Sequence, residues 1–166
     1  MDENNPFMIL TAVAAPAILT NACSVLALGT ANRIARVVDR SRVVMKAQAG
    51  EKPKSRHHKA YALQVEKLRV RGALLLKALR LFYASLGMFA ATALTAIVGS
   101  ALVAFDFNIA FHAAAVFGFI VGALGVIGVV AGCAMMVRET QLAVQSVHEE
   151  YDLHVISSTP TPETAL

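Results

Sequence analysis

Charge is scarce in this sequence. Only 16% of its 166 residues are charged and 57% are hydrophobic, with a mean hydropathy of +0.59. An ordinary soluble domain carries about 25% charged residues and about 45–50% apolar ones. So apolar a composition also excludes disorder and collagen-like repeats. Two cysteines are too few for a disulfide scaffold. No glycine-rich phosphate loop, CxxC pair or closely spaced nucleophile and base occurs. The adjacent His57 and His58 have poor helical metal geometry, and Cys23 and Cys133 read as small packing residues. An enzyme is therefore not expected, nor any cofactor or metal.

Three long runs without charge are present instead. Met8–Gly29 has 22 uncharged residues, Leu81–Phe105 has 25, and Phe107–Val137 is polar only at Asn108 and His112. About 20 apolar residues cross a hydrocarbon core of about 30 Å. Backbone amides at that depth must bond within the segment, so each run is predicted to be a helix. A cleaved signal peptide is not expected for the first run, because its leading residues hold two acids and no base.

The basic residues are confined as sharply as the apolar ones. Fourteen of the 15 Lys and Arg lie between Arg33 and Arg80, and the last is Arg138. Short Lys- and Arg-rich loops stay in the cytoplasm. The reading is thus an external N-terminus over 1–7 and transmembrane helix 1 over 8–29. A basic cytoplasmic helical hairpin follows over 30–80, then transmembrane helix 2 over 81–105. An external turn over 106–111 leads to transmembrane helix 3 over 112–137, and an acidic cytoplasmic tail spans 138–166. Residues 31–80 carry a net charge of +11 and residues 138–166 a net charge of −4. The tail could dock on the hairpin. The N-terminus is thus expected outside and the C-terminus in the cytoplasm.

Within the hairpin, Ile34, Val37, Val38, Val44 and Met45 recur at helical spacing, and Ala49–Pro53 breaks the helix. Tyr61, Val65, Leu68, Gly72, Leu75, Leu79 and Phe82 then form a heptad-like seam that enters the second span. The two arms should pack antiparallel. Arg40, Arg42, Lys67, Arg69 and Arg71 make a basic surface. Its readings are a solvated face with a topology signal, or a contact with anionic lipid or a cytoplasmic protein. Nucleic acid is not an expected partner.

Small residues let membrane helices approach closely. Gly118, Gly122, Gly125 and Gly132 share a face of the third span, and Gly87, Ala91, Thr95 and Gly99 repeat every four residues in the second. These stripes should face each other or a second subunit. The first span contains Pro16 and a partly polar face of Thr20, Asn21 and Ser24. An intramembrane Asn is costly against lipid and is expected to face protein or water. It can bond a neighbouring helix, or line a path whose mouth is ringed by Asn32, Arg33 and Arg36.

The runs Ala14-Ala15-Pro16-Ala17-Ile18-Leu19, Asn21-Ala22-Cys23 and Asn32-Arg33-Ile34-Ala35-Arg36-Val37-Val38-Asp39-Arg40-Ser41-Arg42 resemble the bacterial domain of unknown function 2721 family. So do Leu68–Leu75 and Arg138-Glu139-Thr140-Gln141-Leu142-Ala143. The resemblance covers about residues 8–147 and implies a small bacterial membrane protein of three spans, located in the bacterial inner (plasma) membrane. It brings no activity or catalytic residue with it.

The sequence thus predicts an all-α integral membrane protein with three transmembrane helices and a long cytoplasmic hairpin. The leading functional reading is a homo-oligomer with an ion-conducting pore lined by helix 1. The alternative is a membrane-anchored scaffold whose hairpin binds a cytoplasmic partner or anionic lipid.

Overall fold

The computed structural model describes the backbone of residues 6–50, 56–104 and 108–158, and side chains over 14–50, 58–102 and 109–145. The chain forms three helices, α1 (Pro6–Ala49), α2 (Arg56–Ala104) and α3 (Asn108–Ser158). They hold 44, 49 and 51 residues. At 1.5 Å per residue each is about 65–75 Å long, more than twice a hydrocarbon core. Each apolar span therefore continues without a break into a charged arm. The expected external turn shortens, because α3 already begins at Asn108. Residues 1–5, 51–55 and Asp106, on which parts of the terminal, loop and turn readings fall, lie outside the described residues.

All three helices are long and apolar enough to cross a membrane. Their outer surfaces agree with that. Phe119 is 79% exposed and Ile109 90%, and Ile18, Leu94 and Ile127 are also mostly exposed. Such a surface is costly in water and costs nothing among lipid tails. By length and composition the chain is a membrane protein.

The middle helix organises the packing. It lies against α1 on one side and α3 on the other, while α1 and α3 scarcely meet. The α1–α2 contact is a narrow seam. Cys23, Ala27, Thr30, Val37 and Val44 are buried along α1, with Thr20, Ile34 and Ser41 half-buried between them. Steps of three and four residues connect them, the spacing of two helices packed knobs-into-holes. On α2, Leu68 and Leu75 join Val37 and Val44 in one cluster, flanked by Ile34, Tyr61 and Val65. A Cβ at Gly72 would sit 3.7 Å from Val37. Farther along, Ala27, Ala78 and Phe82 form a second cluster, against which Leu79, Val129 and Cys133 pack. Val38 and Met45, expected on the same face, are 42% and 47% exposed. A two-helix seam is narrower than the stripe those residues belong to.

Glycines govern the α2–α3 contact. Cβ atoms built at Gly118 and Gly122 would lie 3.5 Å from Thr95 and Thr92. At Gly125 and Gly132 they would lie 2.7 Å and 2.6 Å from the rings of Phe89 and Phe82. Gly128 faces Ser85 just as closely. These glycines admit two buried phenylalanine rings. Gly99 stands against Phe111 and Ala114, whereas Gly87 has open space around its Cβ position and takes no part in this contact.

Candidate functional site

The charged arms are joined where they leave the apolar spans. Glu139 on α3 is the first acid after the third span, and its side chain is only 4% exposed. Burying a carboxylate this deeply requires a partner charge and hydrogen bonds. Arg71 on α2 supplies both: its Nη2 lies 2.8 Å from Glu139 Oε1 and its Nε donates to the same oxygen at 2.9 Å. Arg33 on α1 reaches the other oxygen. Its Nη1 lies 3.5 Å from Glu139 Oε2 and donates to Thr140 Oγ1 at 3.0 Å. One buried carboxylate thus ties three helices together. One turn nearer the apolar span, the buried Thr30 donates to the Leu26 carbonyl at 2.7 Å and lies 3.2 Å from Met136 Sδ. These contacts are where α1 and α3 meet.

Beside the clasp a cavity of about 340 Å³ opens to the surface. Arg33, Arg36 and Arg40 line it from α1, Arg71 from α2, and Glu139 and Thr140 from α3. Val37 and Leu68 form an apolar floor. The helical phase explains the gathering. Arg33, Arg36 and Arg40 follow one another at steps of three and four, so they share the side of α1 next to the seam. Arg71 precedes the buried Leu75, Ala78 and Phe82 by the same steps, which keeps it on the buried side of α2, where it meets Glu139. Four guanidiniums face one carboxylate, so the lining is strongly positive. Among the described residues no group of three or more His, Cys, Asp or Glu could hold a metal ion.

The residues singled out from the sequence go to three places. Arg33, Arg36, Arg40 and Arg71 come together here, joining two residues expected at a pore mouth to two expected on the hairpin surface. Arg36 Nε also donates to the Asn32 carbonyl at 3.4 Å, and Asn32 itself is exposed. Arg42, Lys67 and Arg69 point outward, and Arg69 lies 4.0 Å from Glu66 one turn away. The hydroxyls of Thr20 and Ser24 donate to the carbonyls of Pro16 and Thr20 at 2.8 and 3.0 Å. Asn21 is exposed on the outer face of α1. The sequence places Glu139 within the Arg138–Ala143 motif without pointing to its partners. The signal was its position, an acid two residues past an uncharged run, in a tail opposite a segment of +11.

No curated protein and no solved structure matches the chain. The family model described as "Protein of unknown function (DUF2721)" matches residues 13–149, which takes in most of the first span, all of α2, the third span and the clasp itself. The chain belongs to the DUF2721 family.

Proposed function

We propose that this protein is a non-enzymatic membrane anchor whose basic hairpin stands in the cytoplasm and docks an acidic partner protein. One observation carries the reading: α1 and α2 run unbroken from the apolar spans into arms that hold 12 of the 15 basic residues. From Arg33 to Ala49 the arm extends about 24 Å. That is more than twice the Debye length of about 8 Å at physiological ionic strength. The distal bases Arg42, Lys46, Lys67 and Arg69 are exposed, and along α1 Arg42 stands about 14 Å and Lys46 about 20 Å past Arg33. Their geometry favours a soluble acidic surface. Confinement of the bases to this end supports its cytoplasmic placement.

The test uses the full chain in neutral-lipid nanodiscs with polyglutamate as the acidic probe. Exchanging Arg42, Lys46, Lys67 and Arg69 for Gln should weaken binding at least tenfold at low salt, and added salt should weaken the unaltered protein likewise. Unchanged binding in the variant overturns the proposal.

A second reading, a homo-oligomer, draws on Asn21. Its amide lies on the exposed face of α1 within the span, where a second copy would give it a partner. Native mass in a nanodisc decides it; a monomer rejects it and with it a pore lined by α1.

A further inference from the structure

We infer that α1 carries the interface for a second copy of this chain: a parallel pair, seamed from Ala17 to Val38, with Asn21 set against Asn21. This pairing rests on the homo-oligomer reading and specifies its face, its register and its copy number.

Helical phase separates the faces of α1. Cys23, Ala27, Thr30 and Val37 are buried along the seam with α2. Arg33, which reaches α3, stands one residue before Ile34 of that seam. Ser24, Leu28, Ala31 and Val38 stand one residue after its members, about 100° to the opposite side. They therefore face away from both neighbouring helices. Together with Ala17, Asn21 and Ala35 they recur at steps of four and three, the repeat of a helix that packs along a second helix. Ala17, Asn21, Ser24 and Ala35 are exposed, Leu28 is 65% and Val38 42% exposed, and Ala31 is half-buried.

Asn21 says what covers this face. It lies eight residues before Gly29, about 12 Å into a hydrocarbon core of about 30 Å, close to the middle. Lipid tails offer its amide neither donor nor acceptor. No hydrogen bond satisfies it among the described residues, and Thr20 and Ser24 spend their hydroxyls on carbonyls of their own helix. An amide both donates and accepts, so it is its own complement. Two copies inserted the same way hold Asn21 at one depth, where each amide donates to the other's carbonyl. A second copy supplies that match in depth and chemistry by symmetry. Ala17, Ser24, Ala31 and Ala35 on the same face let the two backbones approach.

Copy number follows from the face. A ring uses two different faces of each copy, whereas one self-complementary face closes a two-fold pair. A single Asn in such a seam also fixes its register. The seam has an end as well. Val38 stands about 14 Å outside the hydrocarbon core, in water, where covering it is favourable. The next residue on the face is Arg42, whose charge would oppose its own copy. The arms part there and leave the distal bases to the acidic partner.

Native mass spectrometry of the full chain in mild detergent reads the dimer fraction against concentration. The unaltered chain should form a dimer. Asn21→Leu should raise its dissociation constant about three- to tenfold, and Asn21→Gln, which keeps an amide, should recover part of the loss. Oxidative cross-linking in membranes then locates the seam. In a background of Cys23→Ala and Cys133→Ala, the variants Ala17→Cys, Ala31→Cys and Val38→Cys should each form a dimer disulfide. Ala15→Cys and Ala22→Cys, exposed on another face of α1, should not. Dimerisation unchanged by Asn21→Leu overturns the proposal. A dimer that cross-links at position 15 or 22, or an assembly of more than two copies, overturns this seam and leaves the homo-oligomer standing. A monomer rejects both. The polyglutamate result stands apart, because it depends on the distal bases.

Discussion

Exchanging Arg71 for Met should destabilise the protein more than exchanging Glu139 for Gln, although both break the same ion pair. The reason is which charge is left behind. Met keeps the unbranched stem of Arg71 and removes the guanidinium. Glu139, 4% exposed, then retains only Arg33 at 3.5 Å, and Arg33 is itself 42% exposed. Removing one partner of a buried pair costs about 3–5 kcal/mol. The residual Arg33 contact resembles an exposed pair worth about 0.2–1 kcal/mol, so a loss of about 2–4 kcal/mol is expected. Glu139→Gln leaves two arginines that are 42% and 21% exposed and can turn to water, and the amide still accepts from them. Its cost should stay near 1 kcal/mol, the net value of one hydrogen bond. The decisive variant is the double one. With the carboxylate neutral, Arg71→Met no longer strands a charge, so the double variant should be more stable than Arg71→Met alone. The chain offers its own probe: Cys23 is 1% exposed and Cys133 partly buried, both as free thiols. A thiol-reactive fluorophore therefore reports unfolding in detergent. At about 2–4 °C per kcal/mol, Arg71→Met should melt about 4–16 °C lower. A double variant that melts below Arg71→Met refutes the argument that the buried carboxylate is what Arg71 compensates.

The α2–α3 contact separates two kinds of glycine. Gly125→Ala and Gly132→Ala drive a methyl into the rings of Phe89 and Phe82, which are 1% and 0% exposed, and should cost about 1–3 kcal/mol in the same melting assay. Gly118→Ala and Gly122→Ala meet threonine side chains at ordinary contact distance and should be tolerated, and Gly87→Ala, in open space, should be neutral. Phe82→Ala empties the point where all three helices pack and should lower stability by about 3–5 kcal/mol. On the arms, Leu75→Ala should cost about 2–5 kcal/mol, whereas Leu63→Gln, at a residue 67% exposed, should leave the melting temperature unchanged.

Periodicity along one helix was readable in the sequence, and relations between helices were not. The heptad seam of α2 could be named because every third or fourth residue from Tyr61 to Phe82 is apolar or glycine. Its partner on α1 was harder to see. Cys23, Ala27, Thr30 and Ser41 occupy the seam, and small or polar residues carry little hydropathy signal. Val38 and Met45 carry more of it and face outward. The glycine face of α3 was legible because Gly118, Gly122, Gly125 and Gly132 stay within about 80° at 100° per residue. The stripe in α2 failed for the same arithmetic. Steps of four drift by about 40°, so Gly87 and Gly99 stand about 120° apart and only the far end of the stripe reaches α3. Glu139 was out of reach in a different way. Nothing in a single helix tells that residues 33, 71 and 139 stand at one height. That follows only from the lengths of two unbroken hairpins.

Those lengths also explain why the clasp is where it is. Between lipid tails, close packing of small residues holds α2 to α3, and apolar side chains gain nothing by leaving lipid for one another. On the arms, in water, the same apolar side chains do gain, and the Val37–Leu75 cluster holds α1 to α2. Between α1 and α3 packing is slight: among the described residues they approach at Phe82 and at Thr30 and Met136. A charge pair can join them only at the boundary: deeper, the ions would be too costly to bury, and farther out, water and salt would weaken them. Glu139 meets Arg33 and Arg71 in that layer.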